Sequence, residues 1–275
     1  MLGFIQKLYS FLYRLSMLPC VDKGFARWYD KKKGWEFCMK ETIYYRRSCR
    51  SFAVEPLGEN ILREMENFMK SVHPLDEQIQ YAWQTVSAEQ VRFYFPWKAP
   101  QLVAFFSEKR EGYLENAGFI LQQLDLWLQS KGIGACWLGL GKLRSQVKIP
   151  EGMEFVILLA IGTPKESLPR DRRKFMRKTM EEISDRFDER LECARVAPSS
   201  TNSQPWLFTH EGDVIHSFRS GAGILRHAML GTMNKIDMGI ALAHLYVENP
   251  DTFRYFIARP TQIPAGYSYS GSFSI

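Results

Sequence analysis

No stretch of the 275 residues approaches the roughly 20 consecutive apolar residues that a membrane span requires. Paired cysteines are missing too. Cys20, Cys38, Cys49, Cys136 and Cys193 are odd in number and scattered, without C-x-x-C spacing or a His/Cys cluster at metal-ligand spacing. That sets aside a disulfide scaffold and a zinc site, and points to reduced thiols in a cytoplasmic setting. The five histidines show neither an H-E-x-x-H arrangement nor a neighbouring nucleophile signature, so metal-dependent or triad hydrolysis has little support. Disorder is excluded by a composition 45% hydrophobic and 24% charged. Basic and aromatic residues are not interleaved in a nucleic-acid-binding signature, and no nucleic-acid partner is expected.

What is present begins with a formal charge of +6, from 36 basic and 30 acidic residues. Part of the excess sits in Lys31-Lys32-Lys33, which reads best as a solvated face, and in Arg172-Arg173-Lys174. Such an excess suits an anionic ligand. Near the start, Ile5, Leu8, Leu12 and Leu15 recur at helical spacing, making an amphipathic helix. Lys7 and Arg14 interrupt its apolar run and no small-residue cleavage site follows, so it does not read as a signal peptide. It is expected to pack on the body of the protein or on another subunit, with contact to a membrane surface the weaker reading.

Helices are expected from Trp35 toward Arg47, from about Asn60, over Gly112 to Lys131, and from Ile236 to Tyr246; a helix end is expected at Cys193 to Val196. Strands are expected at Val91–Phe95, Leu102–Phe106, Phe155–Ile161 and Phe253–Ala258, with a hairpin at Trp206–Thr209 and Val214–Phe218. The mixture lacks regular β-α alternation and reads as α+β. Lys165 to Arg190, highly charged, reads as a connection between halves. Asn116-Ala117-Gly118-Phe119-Ile120-Leu121-Gln122-Gln123-Leu124 is echoed by Asp237-Met238-Gly239-Ile240-Ala241-Leu242-Ala243-His244-Leu245, with Gly third and Leu sixth and ninth in both. Buried helices share apolar spacing anyway, but the echo hints at two related halves.

Three constellations carry chemistry. Arg46-Arg47-Ser48-Cys49-Arg50-Ser51-Phe52 places three guanidiniums around a hydroxyl at a predicted helix end, forked donors suited to a phosphate or simply a basic surface cluster. Ala197-Pro198-Ser199-Ser200-Thr201-Asn202-Ser203-Gln204-Pro205-Trp206 is rich in turn residues, yet its hydroxyls and amides also suit a polyhydroxyl chain and a heteroaromatic edge. Gly132-Ile133-Gly134-Ala135-Cys136-Trp137-Leu138-Gly139 reads as a helix cap leading into a strand, and its glycines also let main-chain N–H groups approach a flat ligand.

Together these three segments resemble the FMN-dependent nitroreductase family, in the branch where two nitroreductase-like halves are fused in one polypeptide. The resemblance runs from about Trp35 to the end and is most specific at A-P-S-S-x-N-x-Q-P-W. It implies a nitroreductase-like α+β fold whose halves, 35–165 and 166–275, mimic the family's homodimer, with 1–34 as an N-terminal helical extension. Arg46, Arg47, Ser48 and Arg50 would then hold the phosphate and ribityl end of FMN, helped by Arg173. Pro198, Ser199, Ser200, Asn202 and Gln204 would reach the ribityl chain and ring from across the junction. Trp137, Leu138 and Gly139 would lie along the isoalloxazine, with a backbone N–H near Gly139 facing N5. The two donor groups are divided between the halves, so one FMN per chain is expected. The implied activity is transfer of hydride or electrons from NADH or NADPH to a nitroaromatic, quinone or similar electron-poor small molecule, by a monomer or weak homo-oligomer. No metal is called for and no side chain is singled out as catalytic. The alternative is a catalytically degenerate flavin- or nucleotide-binding protein, acting as sensor or store.

Overall fold

The computed structural model describes residues 34–92, 97–171, 174–221 and 227–275. The amphipathic stripe from Ile5 to Leu15, Arg173, and Phe93 to Phe95 of one expected strand lie outside these residues. The chain proceeds through helices α1 (Gly34–Ile43) and α2 (Glu59–Ser71), then strands β1 (Tyr81–Ser87), β2 (Val91–Arg92) and β3 (Gln101–Ser107). Helix α3 (Tyr113–Ser130) and strands β4 (Gly134–Leu138), β5 (Lys142–Leu143) and β6 (Glu154–Gly162) follow. An antiparallel sheet forms in the order β1-β3-β6-β4. Its central strands are apolar on both faces because both are covered. Val103 and Phe105 of β3 and Ile157, Leu159 and Ile161 of β6 enter the main core, while Leu102, Ala104, Phe106, Leu158 and Ala160 enter a second cluster behind the sheet with Phe52 and Cys136.

Helix α3 is buried from Leu114 to Gln129 on every side, which accounts for its apolar residues spreading all round the helix. Its end is set by Gly132 at φ 76, where Gly132 N–H donates to Gln129 O and Ile133 N–H to Leu128 O at 2.9 Å. This is the glycine-closed terminus that turns the chain straight into β4.

Beyond β6 come two short helices, α4 (Met180–Ile183) and α5 (Glu192–Arg195), then β7 (Trp206–Glu211), β8 (Val214–Ser220), α6 (His227–Glu248), β9 (Arg254–Phe256) and β10 (Tyr267–Ser274). The second antiparallel sheet has the order β7-β8-β10-β9. Each sheet therefore takes two strands before its long helix and two after it, with the last strand of the chain segment inserted next to the second.

The long helices α3 and α6 meet backbone on backbone. A Cβ on Gly118 would lie 2.0 Å from the Ile236 carbonyl oxygen, and one on Gly239 would lie 1.9 Å from that of Glu115. Each glycine thus rests on the residue three before the other, a reciprocal contact. Their attachments match as well. Two residues before each glycine, Asn116 Oδ1 accepts from Leu75 N–H at 2.7 Å and Asp237 Oδ1 from Ser200 N–H at 3.0 Å. Five residues after each, the Gln123 amide donates to His73 O at 2.8 Å and His244 Nδ1 bonds Cys193 O at 2.9 Å.

Most expected elements appear within a residue or two of their places. Four points differ. Helix α1 stops at Ile43, and Arg46 to Arg50 run on without helix, bonded to the end of β4 through Cys49 N–H and Ala135 O. Helix α6 starts at His227, well before Ile236. Strands β1, β5 and β10 and the short helix α4 were not expected; β10 is made largely of serine and tyrosine, residues that read as loop until Ser272 is seen bonded to buried His216. Finally, the charged stretch after β6 is no free connection: Lys165 N–H bonds Ser51 O, Arg170 N–H bonds Tyr45 O, and Asp185 N–H bonds Phe208 O.

Candidate functional site

The Arg-Arg-Ser segment points its three guanidiniums in different directions. Arg46 is buried and its Nε stands 3.1 Å from Asp125 Oδ2 of α3. Arg47 reaches outward to Glu166 at 2.9 Å, and its N–H bonds the Gln129 side chain. Arg50 is exposed, and the Ser48 hydroxyl meets the thiol of Cys136. Burial pushes that thiol up to about 11, so it stays protonated and is no nucleophile at neutral pH.

Arg46 has company that the local sequence did not announce. Arg170 and Arg177, from the segment after β6, place their guanidiniums 5.0 Å and 5.5 Å from the centre of the Phe175 ring. Burial first, and then the like charges of Arg46, Arg170 and Arg195, pull the Arg177 guanidinium down to about 10, still charged at neutral pH. Four guanidiniums thus share one region. Asp125 faces Arg46 and Glu192 holds Arg195 at 2.8 Å, but the acceptors met by Arg170 and Arg177 among the described residues are neutral oxygens. Two buried Arg46 nitrogens, Nε and Nη2, have no hydrogen-bond partner among the described residues; Nε is answered only by the ion contact with Asp125, and Nη2 by nothing. Positive charge concentrated in this way, with a buried donor left over, is matched to a multiply charged anion.

The Ser/Asn segment meets this cluster through Arg177. Thr201, Asn202 and Gln204 all take positive φ, at 52°, 58° and 47°, a conformation costly for residues with side chains and held here by bonds on two sides. From one side, Arg177 Nη1 donates to Asn202 Oδ1 at 2.6 Å, and Lys178 donates its N–H to Gln204 Oε1 at 2.7 Å and its ammonium to Gln204 O at 2.9 Å. From the other, Asp237 holds Ser200. Within the loop, Gln204 N–H donates to Ser199 Oγ at 2.9 Å. Ser199, Ser200 and Pro198 are half-buried, Asn202 is exposed and Gln204 is buried.

Helix α6 joins this loop to the third segment. A Cβ on Gly139 would lie 2.7 Å from Met233 Sδ, one turn before Asp237, so the end of β4 and α6 meet closely here. Trp137 is half-buried with its indole N–H buried and unpartnered. Leu138 turns its side chain into the cluster behind the first sheet, leaving only its backbone on the Trp137 side. The three segments therefore close a circuit: Arg46 to Arg177, Arg177 to Asn202, the Asn202 loop to α6, α6 to Gly139, and the strand ending there back to Ser48. Beneath it, His244 is fully buried between Gln122 of α3 and Cys193 O; burial holds it down to about 3, and the neighbouring bonds assign the proton to Nδ1.

Arg173, the expected helper, lies outside the described residues; Arg170, Arg177 and Lys178 were not singled out although they belong to the same charged stretch. A cleft of about 400 Å³ lined by Leu114, Arg219, Gly231, Thr232 and Lys235 shares no residue with the circuit. Among the described residues, no group of three or more His, Cys, Asp and Glu side chains is arranged to hold a metal ion, and no helix is long and apolar enough to cross a membrane.

A family model described as "Putative TM nitroreductase" matches residues 38–249, spanning the whole circuit. The chain belongs to this nitroreductase family. A crystal structure described as a "putative nitroreductase" from Thermotoga maritima superposes with a TM-score of 0.58 at 19% identity, over 86% of this chain and 91% of that one, a likeness of fold. An FMN-dependent nitroreductase from Clostridium difficile R20291 aligns over 51% of this chain and 97% of its own, with 16% identity and a TM-score of 0.41. A nitroreductase with bound FMN from Desulfitobacterium hafniense aligns over 52% and 98%, with 16% identity and a TM-score of 0.38. No curated protein matches significantly. The α+β architecture described above accords with membership of this family.

Proposed function

We propose that the chain is an FMN-dependent oxidoreductase holding one FMN between two related halves, and that it passes hydride or electrons from NADH or NADPH to an electron-poor small molecule such as a nitroaromatic or quinone. The observation that carries this reading is the guanidinium cluster of Arg46, Arg170, Arg177 and Arg195, with a buried donor of Arg46 left over, facing the strained Ser199–Gln204 loop. A phosphate monoester supplies the missing charge. Hydroxyls and amides of the loop suit the polyol chain next to it, and Trp137 and Gly139 offer a flat wall with close backbone approach.

When bound, FMN accepts and returns hydride at N5. Arg177 would have two roles: its guanidinium would hold the phosphate, and its bond to Asn202 would tie the phosphate side to the loop. Backbone N–H groups near Gly139 would serve to stabilise the negative charge that develops on reduction. The division into halves at 35–165 and 166–275 is supported by the matching strand orders and by the reciprocal contact of Gly118 and Gly239. In the first half, Leu75 and Asp76 occupy on Asn116 the place that Ser200 occupies on Asp237, without the run of hydroxyls. The cationic opening and the hydroxyl loop thus meet once per chain.

The test is direct. The purified protein, reconstituted with FMN, should show a flavin absorbance spectrum that bleaches under anaerobic NADH or NADPH and recovers with a quinone or nitroaromatic. A protein that binds no FMN at micromolar concentration overturns the flavin reading; one that binds FMN but never bleaches is the store or sensor instead.

A further inference from the structure

Asp237 lies on α6 directly beneath the Ser199–Gln204 loop and is buried. Its Oδ1 accepts from Ser200 N–H at 3.0 Å, and its Oδ2 lies 3.4 Å from Ser203 Oγ. The same Ser203 Oγ lies 3.4 Å from Asn234 Oδ1. One hydroxyl proton shared between two acceptors at 3.4 Å makes at best a weak three-centre bond. With the Asn234 amide set so that Oδ1 faces Ser203, the group is satisfied when Asp237 Oδ2 carries a proton and donates to Ser203 Oγ, which donates to Asn234 Oδ1.

The surroundings favour the neutral acid. Ser200 and Ser203 face it from the loop and Asn234 from its own helix; among the described residues no cation pairs with it. Arg177 and Lys178 reach the loop from its other side, on Asn202 and Gln204. Lys235, next on the helix, acts on Glu115, and His244, two turns along, is neutral. Burial pushes the Asp237 carboxyl up to about 7. On α3 the matching place is held by Asn116, a neutral side chain making the same tether to Leu75.

We propose that Asp237 carries a proton in the folded protein and acts as a positioning residue, its proton state setting the geometry of the Ser199–Gln204 loop. The proposal rests on the reading of that loop as a cofactor wall. Loss of the proton leaves Asn234 without its donor and puts an unpaired charge under the loop, loosening the strained residues above it. FMN affinity is then highest below neutral pH.

The experiment follows the full-length protein across neutral pH without and with FMN. Without it, infrared difference spectra should show a protonated-carboxyl band, absent in Asp237→Asn, that disappears as pH rises through neutral while the Ser200 amide resonance shifts in parallel. With it, fluorescence titration should show FMN affinity falling by up to roughly tenfold per pH unit above neutral, whereas Asp237→Asn stays flat at the wild-type low-pH value. Ser203→Ala, which removes the proton's acceptor but leaves Asp237 in place, should move the carboxyl transition. A carboxyl ionised throughout, or identical pH profiles for wild type and Asp237→Asn, overturns the proposal. Absence of FMN binding at every pH, with the carboxyl band and Ser200 shift present, fails the flavin reading while leaving the proton's control of the loop standing.

Discussion

Arg46 and Arg177 differ in what their loss should do. Arg46 is half of a buried ion pair, so Arg46→Ala strands Asp125 in the core and should cost about 3–5 kcal/mol of stability, read in chemical denaturation. Arg177 lies on a segment without regular structure and bonds neutral oxygens, so Arg177→Ala should fold and weaken FMN binding roughly tenfold or more, as expected for one charge-assisted bond. Equal FMN affinity in wild type and Arg177→Ala would remove it from the phosphate site. His244 adds a pH signature. Its folded value is about 3 against 6.5 when free, so an unfolded chain takes up a proton that the folded one refuses. Stability should therefore fall as pH drops from 6.5 toward 3 and recover fully above 6.5. Replacement by Gln, which cannot be protonated, should flatten that slope in pH-dependent melting.

Among the elements, α3 and α6 decide most. Because a Cβ at Gly118 or Gly239 would enter a backbone carbonyl rather than a flexible side chain, neither helix yields without moving the other. Gly118→Ala and Gly239→Ala should each destabilise by about 1–3 kcal/mol or more, by similar amounts and non-additively when combined, as thermal melts of the three variants would show. Additive effects would mean that the two contacts are independent. The middle of both helices was legible from apolar residues at helical spacing, such as Ala117, Ile120, Leu121, Leu124 and Leu128 of α3. The first turns of α6 were not, since Gly231, Thr232 and Asn234 there are weak helix formers. Strand β1, in contrast, has ordinary strand formers in Tyr-Ala-Trp-Gln-Thr-Val-Ser, and its residues carry the strand signal in plain form.

For the whole molecule, the consequence of that helix pairing is that neither half should stand alone. One apolar core takes residues from both sheets and both long helices, so each isolated half would expose the face its partner helix covers. Fragments split near Glu166 are expected to bind no FMN separately, and co-expression to restore binding, with a titration end point of one FMN per chain. Two FMN per chain, or an isolated first half that binds it, would dismantle the composite site.

The helical and strand periods, the glycine that closes α3, and the three polar segments are local properties, set by residues near one another in the chain, and the sequence determined them by itself. Its resemblance to the nitroreductases rests on the same short strings. What only the tertiary structure decided is which charges end up together. Arg46 turned inward because Asp125, far along the chain, sits opposite it. Arg177 joined it because the charged stretch docks along Tyr45 and Ser51 instead of spanning solvent. Charge is felt through space and not along the chain, so a cluster assembled from three segments leaves no pattern in any one of them.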